Sequence, residues 1–247
     1  MHQNRFFIPC VPPTVSEIWI EGKEAHHIVH VKRVLPGSTI TLFDGKGAEY
    51  SAKVIEISGR KLKVSVGLPQ LTDREAHINI TIAFSIPKGK KADFLIQKCS
   101  ELGIKTLIPL HCERSVVDIR NKYAEKLSRW NKIAVEASKQ CKRNMITGIE
   151  GVMTLDDMAK IVYNYDLALI ASAENEVKTL KRVLSAYPAI KKILCLVGPE
   201  GGFTLVELGK AINAGCIPIT MGNSILRVET AVIALSSMIL YAYSRDS

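Results

Sequence analysis

The sequence lacks the patterns that mark several common protein classes. None of its six cysteines forms a C-x-x-C pair, which argues against a zinc cage or a redox pair. Several of these cysteines sit inside apolar runs, so we expect buried, reduced thiols rather than disulfides. No apolar run approaches the ~18 residues that a membrane span needs. The 247 residues are 47% hydrophobic and 23% charged, as in an ordinary globular protein with a substantial core.

Two further absent patterns bear on the cellular location of the protein and on metal binding. The N-terminal MHQNRFFIPC lacks the basic-then-apolar order of a signal peptide, so we expect a cytoplasmic protein. His26, His27 and His30 include an i, i+4 pair, but they show no H-E-x-x-H pattern and no obvious third ligand. We therefore predict no metal site.

Positive charge is concentrated in one segment. The chain has a net charge of +9, and residues 88–143 hold 14 basic and 6 acidic groups. A concentrated basic face can neutralise phosphates and release their counterions. Nucleic acid is therefore the favoured partner, although a solvated lysine-rich surface would give the same pattern.

Residues 1–70 have the pattern of a small β domain. Two apolar-rich runs flank Asp44-Gly45-Lys46-Gly47, which is a hairpin signal. KLKVSVG at 61–67 alternates with a period of two, and a short helix is predicted near Glu24–Leu35. A small barrel fits this region. The stretch 67–77 is polar and contains Pro69, and the predicted linker lies within it at 71–77.

From residue 78 to 247 the pattern changes to alternating strands and helices. Strands are predicted at 78–86, 105–110, 166–173, 191–197 and 216–222, with helices at 88–102, 122–140, 175–186, 204–214 and 228–243. This alternation is typical of an α/β domain with a mainly parallel sheet and helices on both faces.

One loop, LVGPEGGFTLVE at 196–207, follows a predicted buried strand. Thr204 and Glu207 form a capping box, so the following helix should begin at Leu205. The glycines match neither common phosphate-binding motif, and Pro199 and Glu200 also argue against a phosphate. A loop at the carboxyl end of a parallel strand is a usual ligand position, although a purely structural turn remains an alternative.

A second loop of similar character lies within ITMGNSILRVETA at 219–231. It also joins a buried strand to an apolar helix, and Arg227 stands directly before that helix. An arginine there needs solvent or an anionic partner, so a structural ion pair and a functional role are both open.

Together these two loops carry a family resemblance. GPEGGF followed by ILRVETA resembles the paired signature of the RsmE family, whose members are 16S rRNA uracil-N3 methyltransferases of the SPOUT superfamily. The segments RFFIP, HHIVHVKRVLPGSTITLFDGKGAEY, KADFLIQKCSELGIKTLIPLHCERSV and RWNKIAVEASKQCKR follow in the family's character and order, so the resemblance covers nearly the whole chain. Ser224 stands where the family commonly has an arginine.

The resemblance implies a fold, a cofactor and a partner. It implies a PUA-like RNA-binding β-barrel at 1–70, a linker at 71–77 and a SPOUT α/β trefoil-knot methyltransferase domain at 78–247. It also implies S-adenosylmethionine as cofactor, the small (30S) ribosomal subunit as partner and a homodimer. The cofactor would be held by Leu196, Gly198, Pro199, Glu200, Gly201, Met221, Gly222, Ile225 and Leu226, with residues near Ala171 as a third wall.

The implied reaction is methylation of uracil N3 at one uridine of 16S rRNA, of the U1498 type. Arg227 is the candidate for stabilising negative charge, and Glu200 is the candidate base or orienting group. The basic residues expected to contact rRNA are Arg5, Lys32, Arg33, Lys88, Lys91, Arg114, Arg129 and Arg143. The alternatives are another SPOUT enzyme acting on tRNA, on 23S rRNA or on a ribose 2′-hydroxyl, and a catalytically silent RNA-binding assembly factor.

Overall fold

The computed structural model describes residues 4–12, 14–72, 74–117, 122–172 and 177–244. By internal packing the chain divides into two units. The first contains Met1–Glu75 and Ser138–Ile146, and the second contains Ala76–Ala137 and Thr147–Ser247. The chain therefore leaves the first unit, builds part of the second, and returns to the first before completing the second.

The first unit is built on a six-stranded sheet in the order β1-β3-β4-β5-β2, with β6 paired to β4. β1 runs parallel to β3, and the other pairs are antiparallel. The predicted hairpin is confirmed, and the Asp44 carboxylate accepts hydrogen bonds from the N–H groups of Lys46 and Ala48 at its turn. The strands are β1 (Arg5–Phe7), β2 (Ser16–Ile20), β3 (Thr39–Phe43), β4 (Ala48–Ser58), β5 (Lys61–Val66) and β6 (Gln70–Leu71).

The predicted helix near Glu24–Leu35 is shorter than expected. Helix α1 (Gly22–His26) passes directly into a π-helical turn at His27–Val31. Only Ala25 and Ile28 are buried in this stretch, because they face the apolar core of the sheet. The rings of His26 and His30 lie 4.8 Å apart on its surface.

The returning segment Ser138–Ile146 is joined to the first unit by charged groups. The Arg5 guanidinium donates to the Arg143 carbonyl oxygen and to the Asn144 side chain. Arg143 donates in turn to the Glu75 carboxylate, at 2.6 Å. The predicted first domain ended at residue 70 and contained nothing from this segment, because the sequence offers no local sign of a contact across more than 130 residues.

The second unit contains an eight-stranded sheet in the order β10-β8-β7-β13-β11-β14-β12, with β9 paired to β8. Every described pair in it is parallel, which confirms the predicted α/β class. The strands are β7 (Asn79–Ser85), β8 (Thr106–His111), β9 (Gly148–Ile149), β10 (Met153–Thr154), β11 (Leu167–Ala171), β12 (Lys178–Thr179), β13 (Lys192–Val197) and β14 (Ile217–Thr220).

Helices connect these strands, and five of them were predicted. The predicted 88–102 helix begins only at Lys91, and the 175–186 helix begins at Leu180, where Thr179 caps it. The short helix at 155–159 was not predicted, although Thr154 and Asp157 form a capping box there. The helices are α2 (Lys91–Leu102), α3 (Tyr123–Cys141), α4 (Leu155–Ala159), α5 (Leu180–Ala186), α6 (Leu205–Asn213) and α7 (Val228–Ala242).

The described residues show neither a helix suited to a membrane nor a cluster suited to a metal ion. Within those ranges, no helix is both long enough and apolar enough to cross a membrane. The same residues contain no group of three or more His, Cys, Asp or Glu side chains placed to hold a metal ion.

Candidate functional site

Three neighbouring strands of the second unit end at one edge of its sheet and enclose a cavity. β11 lies between β13 and β14, and the parallel register aligns their carboxyl ends. A cavity of about 480 Å³ opens there, within the ~300–1,000 Å³ range of small-molecule sites. It is lined by Ala171, Ser172, Val177, Val197, Gly198, Pro199, Glu200, Gly201, Gly202, Ile219, Thr220, Met221, Gly222, Asn223, Ser224, Ile225, Leu226 and Ala231.

The 198–203 loop follows β13 and contains a tight turn. The Gly202 N–H donates to the Pro199 carbonyl oxygen at 2.8 Å, which puts Glu200 and Gly201 at the exposed tip of a β-turn. Gly202 has a φ of +70°, a conformation that favours glycine. A Cβ on Gly198 would lie 3.0 Å from the Phe203 ring, so a larger residue here would require the ring to shift.

The predicted capping box fixes the end of this loop. The Glu207 carboxylate accepts from the Thr204 N–H at 2.8 Å, and the Thr204 hydroxyl accepts from the Glu207 N–H at 3.2 Å. Glu207 is only 8% exposed, and its other oxygen accepts from the Glu113 N–H. Burial and the nearby Glu207 charge raise the pKa of the Cys112 thiol to about 12. Cys112 therefore stays neutral and supplies no nucleophile.

The 221–227 loop follows β14 and forms the opposite wall. The Thr220 hydroxyl accepts from the Gly222 N–H at 3.2 Å and donates to the Gly222 carbonyl oxygen at 2.9 Å. Gly222 has a φ of +137°, which a side chain would strain. The loop ends at Arg227, whose exposed side chain stands at the N-cap position of α7.

The electrostatics of the cavity favour a ligand without phosphates. Among the described residues that line it, only Glu200 carries a formal charge, and that charge is negative. The remaining surface consists of small and apolar side chains and loop backbone, whose N–H and C=O groups can recognise a purine. An S-adenosylmethionine molecule fits this chemistry, because it carries a sulfonium cation and no phosphate.

Eight of the nine predicted cofactor residues line the cavity. The exception is Leu196, whose side chain packs in the hydrophobic core beside Leu194 and Ala83. Successive strand residues point to opposite faces, so Val197 takes its place in the lining. The expected third wall near Ala171 is present and includes Ser172. Asn223 and Ser224 were not predicted to line it, because polar loop residues carry no periodic signal.

Two arginines predicted to bind RNA are buried in ion pairs within the protein instead. Arg5 is only 7% exposed and pairs with Glu49 at 2.7 Å, while its guanidinium lies over the Phe43 ring. Arg143 is 6% exposed and pairs with Glu75. Buried arginines need such partners, so the expectation that these two contact rRNA phosphates is not supported. Sequence reasoning missed this because the acidic partners lie far away along the chain.

The other predicted RNA contacts are either exposed or bonded to another group of the protein. Lys32, Arg33 and Lys88 are exposed. Lys91 pairs with Glu229 at 3.2 Å, Arg129 pairs with Asp93, and Arg114 donates a hydrogen bond to the Gly201 carbonyl oxygen.

Comparisons with known families agree with this geometry. Residues 74–240 match the family described as RNA methyltransferase domain, and residues 20–67 match the RNA methyltransferase PUA domain. The first match spans the 480 Å³ cavity with both of its loops, and the second lies in the first unit.

Similar proteins extend over almost the whole chain. The ribosomal RNA small subunit methyltransferase E of Bacillus subtilis is 32% identical over 96% of each chain, and that of Rickettsia conorii is 32% identical over 94% and 93%. The corresponding enzyme of Neisseria gonorrhoeae, solved bound to S-adenosyl methionine, is 30% identical, with a TM-score of 0.89 over 98% of both chains. This chain therefore belongs to the RNA methyltransferase family that includes these small-subunit enzymes.

Proposed function

We propose that this chain transfers a methyl group from S-adenosylmethionine to uracil N3 of one uridine in 16S rRNA, of the U1498 type. The observation that carries the proposal is the cavity at the ends of β11, β13 and β14. Its two walls are the 198–202 and 221–226 loops, and among the described lining residues only Glu200 carries a formal charge. The family membership and the cofactor bound in the Neisseria relative support the same reading.

The cofactor supplies an electrophilic methyl group on a sulfonium cation. Gly198, Gly201 and Gly222 would let the loop backbone approach it closely, and Val197 and Ile219 give an apolar floor. Glu200 would be tolerated beside the sulfonium because the two charges are opposite.

Arg227 is the residue that we assign to charge stabilisation. Uracil N3 is an imide N–H, so it must lose its proton, which places negative charge on the ring, and the new N–C bond forms as the methyl–sulfur bond breaks and a neutral thioether leaves. Arg227 stands at the N-cap of α7, where the helix dipole also favours negative charge. A cation at that point would stabilise the transition state more than the ground state.

Glu200 is our candidate for accepting or orienting the N3 proton. It is exposed at the tip of the Pro199–Gly202 turn and lines the cavity, so an incoming base could reach it. Substrate RNA must be bound for this geometry to form, since the base has to be held in line with the methyl group.

The rRNA contacts that we propose are fewer than the sequence indicated. On the first unit they are Lys32 and Arg33, and on the second unit, taken by itself, the contact is Lys88, because these side chains are exposed. Arg5 and Arg143 are dropped from the set because they are buried in ion pairs.

We also infer that the protein acts in the cytoplasm, that its second unit contains a trefoil knot, and that it forms a homodimer. Helix α7 is apolar, and its Met238 and Tyr241 side chains are exposed, which supports a second copy at this face. Sedimentation equilibrium at several concentrations tests the dimer, and a monomer throughout would exclude it.

Tritiated methyl transfer tests the activity directly. Purified protein is supplied with labelled S-adenosylmethionine and with 30S subunits, free 16S rRNA, 50S subunits or tRNA. We expect label on the 30S subunit or on 16S rRNA, at N3 of a single uridine. Label on 50S subunits or tRNA would indicate a different RNA target, and no label on any RNA would indicate a silent binding factor.

A further inference from the structure

Arg114 lies where the segment after β8 meets the proposed cofactor loop. Its Nη1 donates to the Gly201 carbonyl oxygen at 2.7 Å. Its aliphatic part lies beside the same residue, since a Cβ built on Gly201 would be 3.4 Å from Arg114 Cδ and 3.6 Å from Arg114 Cβ. The Arg114 side chain therefore reaches the tip of the Pro199–Gly202 turn and is hydrogen-bonded to it.

The base from which Arg114 extends is itself fixed. The Ser115 hydroxyl accepts from the Cys112 N–H at 2.9 Å, and the Ser115 N–H donates to the Cys112 carbonyl oxygen at 3.0 Å. That hydroxyl also lies 3.1 Å from the hydroxyl of Ser85, which is buried at the end of β7. The Glu113 N–H is held by Glu207, so the residues on both sides of Arg114 are anchored.

The loop that Arg114 contacts would otherwise be hard to order. Three glycines in five residues, Gly198, Gly201 and Gly202, give the chain many accessible conformations in the absence of a ligand. A contact that holds the turn before binding reduces the entropy that ligand binding must remove, and so raises affinity.

We propose that Arg114 is a positioning residue for the methyl donor and not a contact for rRNA phosphates. It holds the Gly201 carbonyl, and with it the turn that carries Glu200, in the conformation that binds S-adenosylmethionine. This inference rests on the proposed function for the identity of the ligand, but the ordering of the loop by Arg114 is a property of the ligand-free protein.

Four proteins test it: wild type, Arg114→Ala, Arg114→Lys and Arg182→Ala. Arg182 is an exposed arginine on α5 outside the cavity lining, so its loss removes the same charge from the same unit. Titration calorimetry with S-adenosylmethionine measures affinity, and hydrogen exchange of residues 198–204 without cofactor measures the order of the loop. Filter binding of 16S rRNA against salt concentration measures phosphate contacts.

For Arg114→Ala we expect cofactor affinity to fall on the order of tenfold, since a hydrogen bond from a charged donor is lost. Exchange at 198–204 should become faster, and KM for the cofactor should rise more than kcat falls. Arg114→Lys should recover part of the affinity, Arg182→Ala should match wild type, and the salt dependence of rRNA binding should stay unchanged.

Two results would overturn the inference. One is wild-type cofactor affinity and wild-type exchange in Arg114→Ala. The other is an unchanged cofactor affinity together with a salt slope reduced by about one, which would restore the phosphate contact. If the wild-type protein bound no cofactor, the proposed function would fail, and the exchange measurement would still decide whether Arg114 orders the loop.

Discussion

The Glu207 carboxylate and the Glu113 N–H are joined by a hydrogen bond of 2.8 Å between residues 94 positions apart. Glu207 therefore does more than cap α6, because it ties the start of that helix to the segment that follows β8. The capping role could be read from the sequence, but the second bond depends on the arrangement of β8 and α6 in space.

We expect Glu207→Ala to lower the free energy of unfolding by about 1–3 kcal/mol, since the Thr204 N–H and the Glu113 N–H both lose their acceptor. Urea unfolding measures the change. Val206→Ala, at an exposed position of the same helix, is the control and should stay within about 0.5 kcal/mol of wild type. Equal stability of the two variants would contradict the double role of Glu207.

Gly198→Ala should weaken binding of S-adenosylmethionine, because its Cβ would approach the Phe203 ring to 3.0 Å and the ring or the loop would have to shift. Gly209→Ala, on α6 outside the cavity lining, is the control, since a Cβ there meets nothing within 4 Å. Titration calorimetry should show a larger loss for position 198 than for position 209. The reverse order would mean that loop geometry does not control the site.

Arg227→Ala should reduce kcat by about 10²–10³-fold, the usual cost of losing one group that stabilises transition-state charge. Cofactor affinity should remain close to that of wild type, because Arg227 is not among the residues lining the cavity. Single-turnover methyl transfer and calorimetry separate the two effects. Wild-type turnover in this variant would remove Arg227 from the mechanism.

Glu49 should make stability depend on acid pH. Burial alone would raise the pKa of Glu49, but hydrogen bonds from Arg5 and Arg74 outweigh it and hold the pKa below its ordinary value of 4.5. The stabilisation is therefore complete above about pH 4.5 and is lost as pH falls through the lower pKa of the folded state.

Urea unfolding of wild type and Glu49→Gln from pH 7 down to about pH 3 tests this sign. The difference in the free energy of unfolding between the two proteins should be largest at the upper end of this pH range and should shrink as the pH falls. Glu56→Gln, at an exposed position of β4, is the control and should show a smaller change. A difference that grew on acidification would contradict the assignment.

Charge reversal of Lys32, Arg33 and Lys88 together should weaken binding to 16S rRNA and reduce the salt slope by about one for each phosphate contact that is lost. Cofactor affinity should not change. Arg60→Glu, in the exposed turn between β4 and β5, is the control for reversing one exposed charge outside this set. An unchanged slope in the triple variant would show that these residues do not contact the rRNA backbone.

The sequence predicted the parts of this protein that depend on local patterns. The parallel strands, the capping box at Thr204 and Glu207, and the two loops at 198–203 and 221–227 all follow from periodicity or short motifs. The burial of Arg5 and Arg143 could not be predicted, because it depends on Glu49 and Glu75, which only folding brings near them. Arg114 was predicted to contact RNA from its charge alone. Its hydrogen-bond partner is a backbone carbonyl in another loop, which only folding brings near it.

The return of Ser138–Ile146 to the first unit has a consequence for how this protein can be divided. A fragment ending near residue 75 would keep Arg5 but lose Asn144 and the Arg143 carbonyl that accept its hydrogen bonds. The N-terminal module is thus not a contiguous stretch of sequence, and a gene fusion that transplants it must carry both pieces. Exchange of this module with that of another methyltransferase by a single recombination event would therefore leave the Arg5 guanidinium with Glu49 but without the Arg143 and Asn144 oxygens that also accept from it.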